Sequence, residues 1–257
     1  MIGEHHVEER NLSVAWARAL RLVGARGRSE VAPLVVGITG FDRAGNFEEE
    51  PRIRAELDAL LARNGKQSVD TVANTIFPAS LWNSKARREL LFDRYKRIAP
   101  RLKKASRKNS RGIYFERMMT GGPKGQENQL DFGIRTYLAR DGVRRSILQV
   151  GVFDPSRDHS AAAQLGFPCL QHVTFAPTDD GLCVNAFYAT QYMVERGYGN
   201  YVGLCRLGRF VAHEMKLPLV RLTCVTGIAK CEMSKNKLAS LLTTIDAVVG
   251  STEQKGV

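Results

Sequence analysis

The five cysteines are the residues of this sequence with the most distinctive chemistry. They are Cys169, Cys183, Cys205, Cys224 and Cys231. An odd count without a CxxC pair argues against a disulfide framework, and no run of Cys and His has the spacing of a zinc site. Free thiols are typical of the reducing cytoplasm, which is the compartment that the sequence predicts. Cys183, Cys205 and Cys224 lie in apolar stretches, which predicts that they belong to the core.

An arginine pair and an asparagine are further side chains with binding chemistry. Arg144-Arg145 follows Asp141-Gly142, and guanidinium forks suit phosphate oxygens. Neighbours on a strand point to opposite faces, so both arginines can contact one phosphate only where the chain turns, as Asp-Gly allows. The alternative is two solvated arginines at a hairpin. Asn200 offers a donor and an acceptor to a base, and it also suits the N-cap of the helix that follows; the two roles are compatible.

Hydrophobic periodicity predicts an α+β chain in which β-hairpins lead to a long buried helix. We predict helices over 11–25, 51–63, 84–97, 128–140 and 201–215, and a last helix with an apolar face from Leu238 to Val249. We predict strands over 33–39, 145–153, 169–175, 182–190 and 219–225. The stretch 105–127 is predicted to be a long loop with an aromatic island, GIYFERMM. The order is not that of a Rossmann sheet, and no linker or repeat divides residues 1–257, which predicts a single domain.

Four features between Arg144 and Leu217 occur in the order of the thymidylate synthase and deoxycytidylate hydroxymethylase family. They are the arginine pair opening RRSILQV, Pro168-Cys169 before a strand, the hairpin strand LCVNAFYAT, and Asn200 before an apolar helix. The chain resembles this family over about a third of its length. The resemblance implies a thymidylate synthase-like mixed sheet with packed helices. It also implies a homodimer, in which the arginines cross to the active site of the partner subunit.

The resemblance implies a role for each of these residues. Cys169 would be the nucleophile, because in the family a thiolate with a lowered pKa adds to C6 of a pyrimidine and C5 then attacks a one-carbon unit. The implied substrate-binding residues are Arg144, Arg145, Asn185, Tyr188, Thr190 and Asn200. Asn200 would bind the base edge, and asparagine at this position matches the family members that act on uracil. Tyr192 stands at the position that contacts the folate.

Several positions depart from the family's pattern. Ala189 replaces an arginine beside the thiol, Leu170 replaces a histidine, and Tyr192 replaces an aspartate. Residues 221–232 lack the His and Tyr that bind ribose in the family. The sequence therefore predicts a divergent methyltransferase or hydroxymethyltransferase that takes an altered substrate. Methylenetetrahydrofolate is the implied cofactor although its contact positions depart, no metal is implied, and His172, Tyr188, Tyr192 and Tyr198 could compensate for the missing groups.

The net charge of +12 indicates an anionic partner, and a pyrimidine nucleotide or a similar small molecule would suffice. Much of the charge lies in 87–111, which is predicted to be a solvated helix face and loop. Nucleic-acid binding by this run ranks last, because the run is interrupted and has few aromatics. A non-catalytic nucleotide sensor or scaffold on the same fold is the main alternative to an enzyme. The sequence contains no stretch of eighteen consecutive apolar residues, so no membrane span is predicted.

Overall fold

The computed structural model describes residues 5–27, 29–106, 109, 112–121, 127–139, 141–159 and 168–253. Within these ranges the chain forms seven β-strands and nine α-helices. The strands are β1 (His6–Glu9), β2 (Glu30–Val31), β3 (Leu34–Ile38), β4 (Gln149–Gly151), β5 (Leu170–Pro177), β6 (Leu182–Tyr192) and β7 (Leu219–Lys230). The helices are α1 (Leu12–Val23), α2 (Pro51–Arg63), α3 (Val69–Ile76), α4 (Glu89–Ala105), α5 (Tyr114–Met118), α6 (Gln129–Ala139), α7 (Pro155–Asp158), α8 (Tyr198–Met215) and α9 (Lys235–Glu253).

All seven described strands belong to one mixed sheet. The strand order is β1-β3-β7-β6-β5-β4, and β2 pairs with β7. The pairs β1/β3 and β6/β7 are parallel, and the other pairs are antiparallel. Packed helices on a mixed sheet confirm the predicted mixture of elements, with the β5–β6 hairpin leading directly to the long helix α8.

The two faces of the sheet differ in burial. On β6, Leu182, Val184 and Ala186 are buried, whereas Asn185 is half-buried and Phe187 is 43% exposed. The same alternation runs through β5 and β7. Because successive side chains of a strand point to opposite faces, one face of the sheet is covered by helices and the other is more open in this chain.

Two glycines allow α3 to lie directly against the first half of α8. A Cβ at Gly199 would come within 2.6 Å of Val72, and one at Gly203 would come within 2.8 Å of the Ala73 carbonyl oxygen. Only glycine fits where a neighbouring backbone approaches this closely. The contact therefore fixes the part of α8 that carries Asn200.

The chain enters α8 through a π-helical turn, Met193–Gly197. The Trp16 indole donates to the Met193 carbonyl at 2.8 Å, and the Glu232 carboxylate accepts from the backbone N–H of Val194 at 3.4 Å and of Glu195. Burial raises the pKa of Glu232, although these N–H groups oppose the shift. Residues distant in sequence thus hold the turn, and π-helical turns are frequent at functional sites.

Most predicted elements are confirmed to within a few residues, but two are displaced. The helix predicted over 84–97 lies at Glu89–Ala105, because Asn83 forms a turn in which its side chain accepts from the N–H of Lys85. The strand predicted over 145–153 is reduced to β4, which a 3₁₀ turn, Arg145–Ile147, precedes. The N–H of Leu148 bonds back to the Arg145 carbonyl at 3.1 Å, so the arginine pair does not open a strand.

Other elements were not expected from the sequence. They are β1, β2, α3, α5 and the short α7. The predicted loop 105–127 contains α5, and its residues 107–108, 110–111 and 122–126 lie outside the described part of the chain, as does part of the basic run 87–111. The aromatic island is therefore helical, which matters for the site described below.

Two features are absent from the described ranges. No helix there combines the length and apolar character needed to cross a lipid bilayer. No group of three or more His, Cys, Asp or Glu side chains in these ranges is placed to hold a metal ion. All five cysteines are free thiols.

Candidate functional site

Cys169 lies where β5 begins and β6 approaches its end. Its carbonyl accepts a hydrogen bond from the N–H of Ala189 at 2.9 Å, and Leu170 pairs with Tyr188. The register then shifts between Leu170 and His172. An irregularity of this kind re-aims the neighbouring side chains, so Cys169 sits at a specialised position of the sheet.

The five thiols differ in accessibility. Cys169 is exposed, as a nucleophile requires, whereas Cys205 and Cys224 are buried as predicted. Cys183 is half-buried on the more open face of the sheet, so its prediction as a core residue is wrong. Cys231 is half-buried, with its Sγ 3.7 Å from the Met233 carbonyl oxygen.

The phenol of Tyr114 contacts the thiol. Its hydroxyl lies close enough to interact electrostatically with the Cys169 thiol and with the backbone N–H groups of Cys169 and Leu170. Burial raises the pKa of Tyr114 to about 12, and the neighbouring thiol adds to the shift. The hydroxyl is therefore neutral at neutral pH, and it can donate to a thiolate or accept from a thiol.

A buried ion pair fixes the helix that carries Tyr114. The two Nη atoms of Arg117 donate to the carboxylate of Asp158 at 2.7 and 2.8 Å, and one also donates to the Val152 carbonyl at 3.0 Å. The two side chains are 4% and 0% exposed. Burial acts to raise the pKa of Asp158, but the Arg117 guanidinium and the N–H of Asp154 outweigh it and hold the pKa below its usual value. Helix α5 is thereby tied to the chain that follows β4.

The electrostatic surroundings of Cys169 do not activate it in the single chain. Burial of its surroundings raises the pKa of the thiol, while the Arg196 guanidinium and the Tyr114 hydroxyl act in the opposite direction. Arg196 stands on the π-helical turn and also donates to the Gln67 side chain. Ala189, the position of the family's arginine, brings no cation. The thiol of one isolated protomer is therefore protonated at neutral pH.

Two buried polar atoms near the thiol have no hydrogen-bond partner among the described residues. They are the hydroxyl of Tyr188 and the Nε2 of Gln191. Gln191 uses its Oε1 to accept from the hydroxyls of Tyr201 and Thr226, each at 3.3 Å. Tyr188 interacts electrostatically with Tyr114 and Cys169, so these groups lie together. Unpartnered buried polar groups cost about 1–3 kcal/mol each, so their presence needs a reason, and a polar ligand would supply it.

Asn200 is a further buried polar side chain in the first turn of α8. It is 3% exposed, and its amide forms no hydrogen bond with the described residues. The predicted N-cap role is wrong, because α8 begins at Tyr198 and continues the π-helical turn, which places Asn200 inside the helix. Its amide is therefore available for a ligand.

The structure does not bring Arg144 and Arg145 to the thiol of the same chain. Strand β4 runs antiparallel to β5, with Gln149 opposite Thr174. Thr174 is five residues beyond Cys169, or about 17 Å along the strand, and the arginines lie farther in the same direction. Both are exposed, and neither forms an ion pair within the described ranges. Only a second chain could place this pair beside Cys169.

The other predicted residues divide into two groups. Thr190 is half-buried and Tyr192 is 48% exposed at the end of β6, the end where Ala189 bonds the backbone of Cys169. Asn185 pairs with Thr174, which lies about 17 Å along β5 from Cys169, so the structure does not bring it to the thiol of the same chain.

Two residues suggested as replacements for missing groups have other partners. The His172 ring bonds the side chain of Gln149. The Tyr198 hydroxyl contacts Ser13 Oγ at 2.7 Å and donates to Glu49 at 2.8 Å.

Arg196, Gln191 and Tyr201 were not predicted from the sequence as site residues, and Tyr114 was not expected beside the thiol. Gln191 could have been found from the sequence, because it is a polar residue within a strand whose other buried residues are mostly apolar. Arg196 offers none, because its position depends on a π-helical turn without a periodic pattern. Tyr114 was recognised only as part of an aromatic island.

No model of a known protein family matches this chain, and no curated protein matches it either. The likeness to the thymidylate synthase family therefore depends on the ordered sequence features. The geometry adds an accessible thiol with a phenol and a cation nearby, beside neutral polar groups that have no partner.

Proposed function

We propose that this protein is a divergent thymidylate synthase-like enzyme that transfers a one-carbon unit to C5 of a pyrimidine nucleotide or a related heterocycle through an adduct with Cys169. The observation that carries the proposal is the set of buried, unpartnered polar groups beside an exposed thiol. Free thiols are common, but a free thiol close to a tyrosine hydroxyl without a partner among the described residues, with an unpartnered amide nitrogen of Gln191 on the same strand, favours a ligand site.

The polarity of these groups favours a neutral heterocycle over a charged ligand in the inner part of the site. The amide of Asn200 and the Nε2 of Gln191 can pair with the carbonyl oxygens and ring N–H of a pyrimidine, as amides carry both donors and acceptors. The Tyr188 hydroxyl adds a third neutral group. Binding such a ring would satisfy polar atoms that now pay a desolvation cost, and the gain favours a ligand with matching polar edges.

The proposed step begins with the Cys169 thiolate adding to C6 of the ring. The new S–C6 bond forms as the C5–C6 π electrons move toward the C4 carbonyl oxygen, which makes C5 nucleophilic. The thiol proton passes to solvent, and the nearby neutral hydroxyl of Tyr114 can donate to the thiolate. After the one-carbon unit is attached, C5 gives up its proton and the S–C6 bond breaks, which restores the C5–C6 double bond and releases the thiolate. Methylenetetrahydrofolate would supply the one-carbon unit when bound, and the exposed ring of Tyr192, at the position that contacts folate in the family, could stack on its pterin.

The proposal includes a homodimer formed through the more open face of the sheet. In one chain, the thiol has a raised pKa and the arginine pair lies at the other end of β5. A second copy packed face to face would place its Arg144 and Arg145 near Cys169, where they would bind the phosphate and stabilise the thiolate. The exposed Phe187 on this face fits burial in such an interface.

Trapping the adduct tests the proposal. The protein is incubated with a 5-fluoropyrimidine deoxynucleotide and methylenetetrahydrofolate, and its intact mass is measured. We expect an added mass on wild type and on Cys231→Ser, which removes another half-buried thiol, but not on Cys169→Ser. A wild-type protein that forms no adduct with any uracil or cytosine nucleotide contradicts the enzymatic proposal.

Mixing two inactive variants tests the dimer. Cys169→Ser lacks the nucleophile, and the double variant Arg144→Ala, Arg145→Ala lacks the phosphate-binding pair. We expect each alone to form no adduct, whereas mixed dimers regain it because one of their two sites carries all three residues. Failure of the mixture, with dimers seen by light scattering, would show that the arginines do not act across subunits.

A non-catalytic nucleotide sensor is the second candidate, and the raised pKa of the thiol favours it. A sensor needs the neutral polar groups but not the nucleophile. It predicts that nucleotide raises the melting temperature equally in wild type and Cys169→Ser while no adduct forms.

A further inference from the structure

A second concave surface lies at the C-terminal end of α8, whereas Cys169 and Asn200 lie near its beginning. We call this surface the basic groove. It has a volume of about 380 Å³ and is formed by the loop 43–45 and the chain from Arg209 to Leu219. Four basic side chains line it: Arg43, Arg209, His213 and Lys216. None of the described lining residues is a carboxylate.

The guanidinium of Arg209 is held in a fixed position within the groove. Its Nε donates to the Ala44 carbonyl at 3.0 Å, and its plane lies 5.6 Å from the centre of the Trp82 ring. The four N–H groups on its two Nη atoms donate to none of the described residues. Because the Arg209 guanidinium is anchored through Nε and its outer N–H groups are free, it is preorganised to bind an anion.

The other basic side chains form no ion pair within the groove, although His213 interacts electrostatically with Glu214. Arg43 and Lys216 form no ion pair with any described residue. His213 donates from Nε2 to the Ser84 carbonyl at 3.0 Å. The loop contains one carboxylate, Asp42, but its oxygens accept from the N–H groups of Ala44 and Asn46 and from the Asn46 amide. The groove therefore gathers basic side chains: Asp42 offsets part of the charge of Arg209, whereas Arg43 and Lys216 form no ion pair with a described residue.

Lys216 occupies a strained backbone position. Its φ of 58° is the single positive value at a non-glycine residue in the described ranges. Glycine is the usual residue where a helix ends in this conformation, because any Cβ is crowded there. Local strain of this kind is common at functional sites, and a lysine in place of glycine here brings an ammonium group to the groove.

The dipole of α8 explains only part of the charge. Cations interact favourably with the last turn of a helix, which accounts for His213 and Lys216. Arg43 belongs to the loop after β3, and the dipole of α8 gives no reason for its place in the groove. Basic side chains brought together from two segments create a positive potential that attracts an anion.

We propose that the basic groove binds the phosphate groups of a small anionic molecule. Arginine forks match phosphate oxygens in geometry, and lysine adds a point charge. The volume of the groove lies within the range of small-molecule sites, about 300–1,000 Å³. The groove is separate from the Cys169 site and does not depend on the function proposed for it.

Pyrophosphate is the probe for the test, and the fluorescence of Trp82 beside Arg209 is the local signal. Calorimetry at low salt gives the affinity for the intact chain. We expect saturable binding that changes the fluorescence, and a loss of affinity of at least about tenfold in Arg43→Gln and in Lys216→Gly, since a charge-assisted hydrogen bond is lost in each. Lys96→Gln, which removes an exposed charge from α4, should bind as wild type does.

Three results would overturn the proposal. The first is no saturable binding at millimolar pyrophosphate. The second is equal weakening in Lys96→Gln, which would show that net charge alone attracts the probe. The third is a single-stranded oligonucleotide that displaces pyrophosphate at far lower concentration, which would assign the groove to nucleic acid. Cys169→Ser should bind pyrophosphate as wild type does, so a failure of the enzymatic proposal would leave this result unchanged.

Discussion

The two ends of α8 differ in the charge and burial of the side chains around them. Near its beginning, Asn200, Tyr188 and Gln191 are neutral, buried and without full hydrogen bonding, and Tyr188 lies close to an accessible thiol. At its other end, the basic groove presents exposed cations around an open cavity. Neutral groups held away from water discriminate by hydrogen-bond pattern, whereas cations at the surface attract any suitable anion. We infer that the first end recognises a heterocycle and that the second recognises phosphate.

The two ends also differ in how they are supported. The thiol end depends on distant parts of the chain, namely the Arg117–Asp158 pair, Glu232 and the glycine contacts with α3. The basic groove is built from the helix end and one short loop. Changes to the supports should therefore damage the first end and leave the second intact in whatever protein remains folded.

The largest expected effect comes from Arg117→Ala. Removing one partner of a buried, bidentate ion pair leaves the Asp158 charge uncompensated, so the free energy of unfolding should fall by about 3–5 kcal/mol. Denaturant titration measures this. Arg135→Ala is the matched control, since that arginine is 50% exposed and its ion pairs should contribute no more than about 1 kcal/mol. Similar losses in both variants would show that the buried pair has no special role.

The same pair predicts a pH dependence. The pKa of Asp158 is lowered in the folded protein, so the pair stabilises the fold above the unfolded carboxyl's ordinary pKa. That stabilisation is lost as the pH falls through the lowered folded value. Asp158→Asn should therefore lose part of the acid dependence of the melting temperature, and an unchanged pH profile would contradict the assignment.

Gly203→Ala should have the next largest effect. The new Cβ meets the Ala73 carbonyl at 2.8 Å, and separating α3 from α8 should cost about 1–3 kcal/mol. Gly250→Ala is the control, because nothing lies within 4 Å of the added Cβ in α9 and helix propensity should make it neutral or stabilising. We expect Gly203→Ala to weaken nucleotide-induced stabilisation while the affinity of the groove for pyrophosphate stays the same.

These supports also show where the sequence was sufficient. Helix α2 matches its prediction at both ends, Pro51 and Arg63, because proline at the first position and Asn64-Gly65 at the end are local signals. The β5–β6 hairpin was likewise predictable from alternation around a short turn. The strands β1 and β2 were not, because they have only four and two residues and depend on pairing with β3 and β7.

The candidate site was predictable only in part, since its geometry depends on non-local contacts. Cys169 and Asn200 were named from ordered motifs, but the cap assigned to Asn200 was wrong because Glu232, 32 residues away, helps to hold the π-helical turn that extends the helix. The position of the arginine pair follows from the register of β4 on β5, which no local pattern specifies.

The reactivity of Cys169 should go on rising with pH beyond the range in which the reactivity of an activated thiol has levelled off. Because burial raises its pKa, the rate of alkylation by iodoacetamide should climb about tenfold per pH unit through neutral pH and level off only above the ordinary thiol range. Arg196→Gln should slow the reaction at pH 8, since it removes a cation that favours the thiolate. The rates are measured by mass spectrometry in a Cys231→Ser background.

Two controls keep this result specific to the thiol end. Arg63→Gln removes an exposed cation of α2 and should leave the rate unchanged, as should Lys216→Gly in the basic groove. A plateau below pH 8 in the wild type would mean that the thiolate is already stabilised, as expected if the partner's arginines reach it in a dimer. Dilution to monomer should then restore the slow reaction.

The smallest expected effect distinguishes strain from charge at Lys216. Lys216→Gly removes the crowded Cβ and should raise the free energy of unfolding by about 1 kcal/mol, while Lys216→Ala keeps the Cβ and should change it by less than about 0.5 kcal/mol. Both variants lose the ammonium group, so both should bind pyrophosphate more weakly by the same factor. If the lysine is kept at this glycine-favouring position because it binds the ligand, Lys216→Gly should be more stable than wild type and should bind pyrophosphate less well. If Lys216→Gly were instead less stable than wild type, the lysine would be holding the helix end, and its place in the groove would need no ligand to explain it.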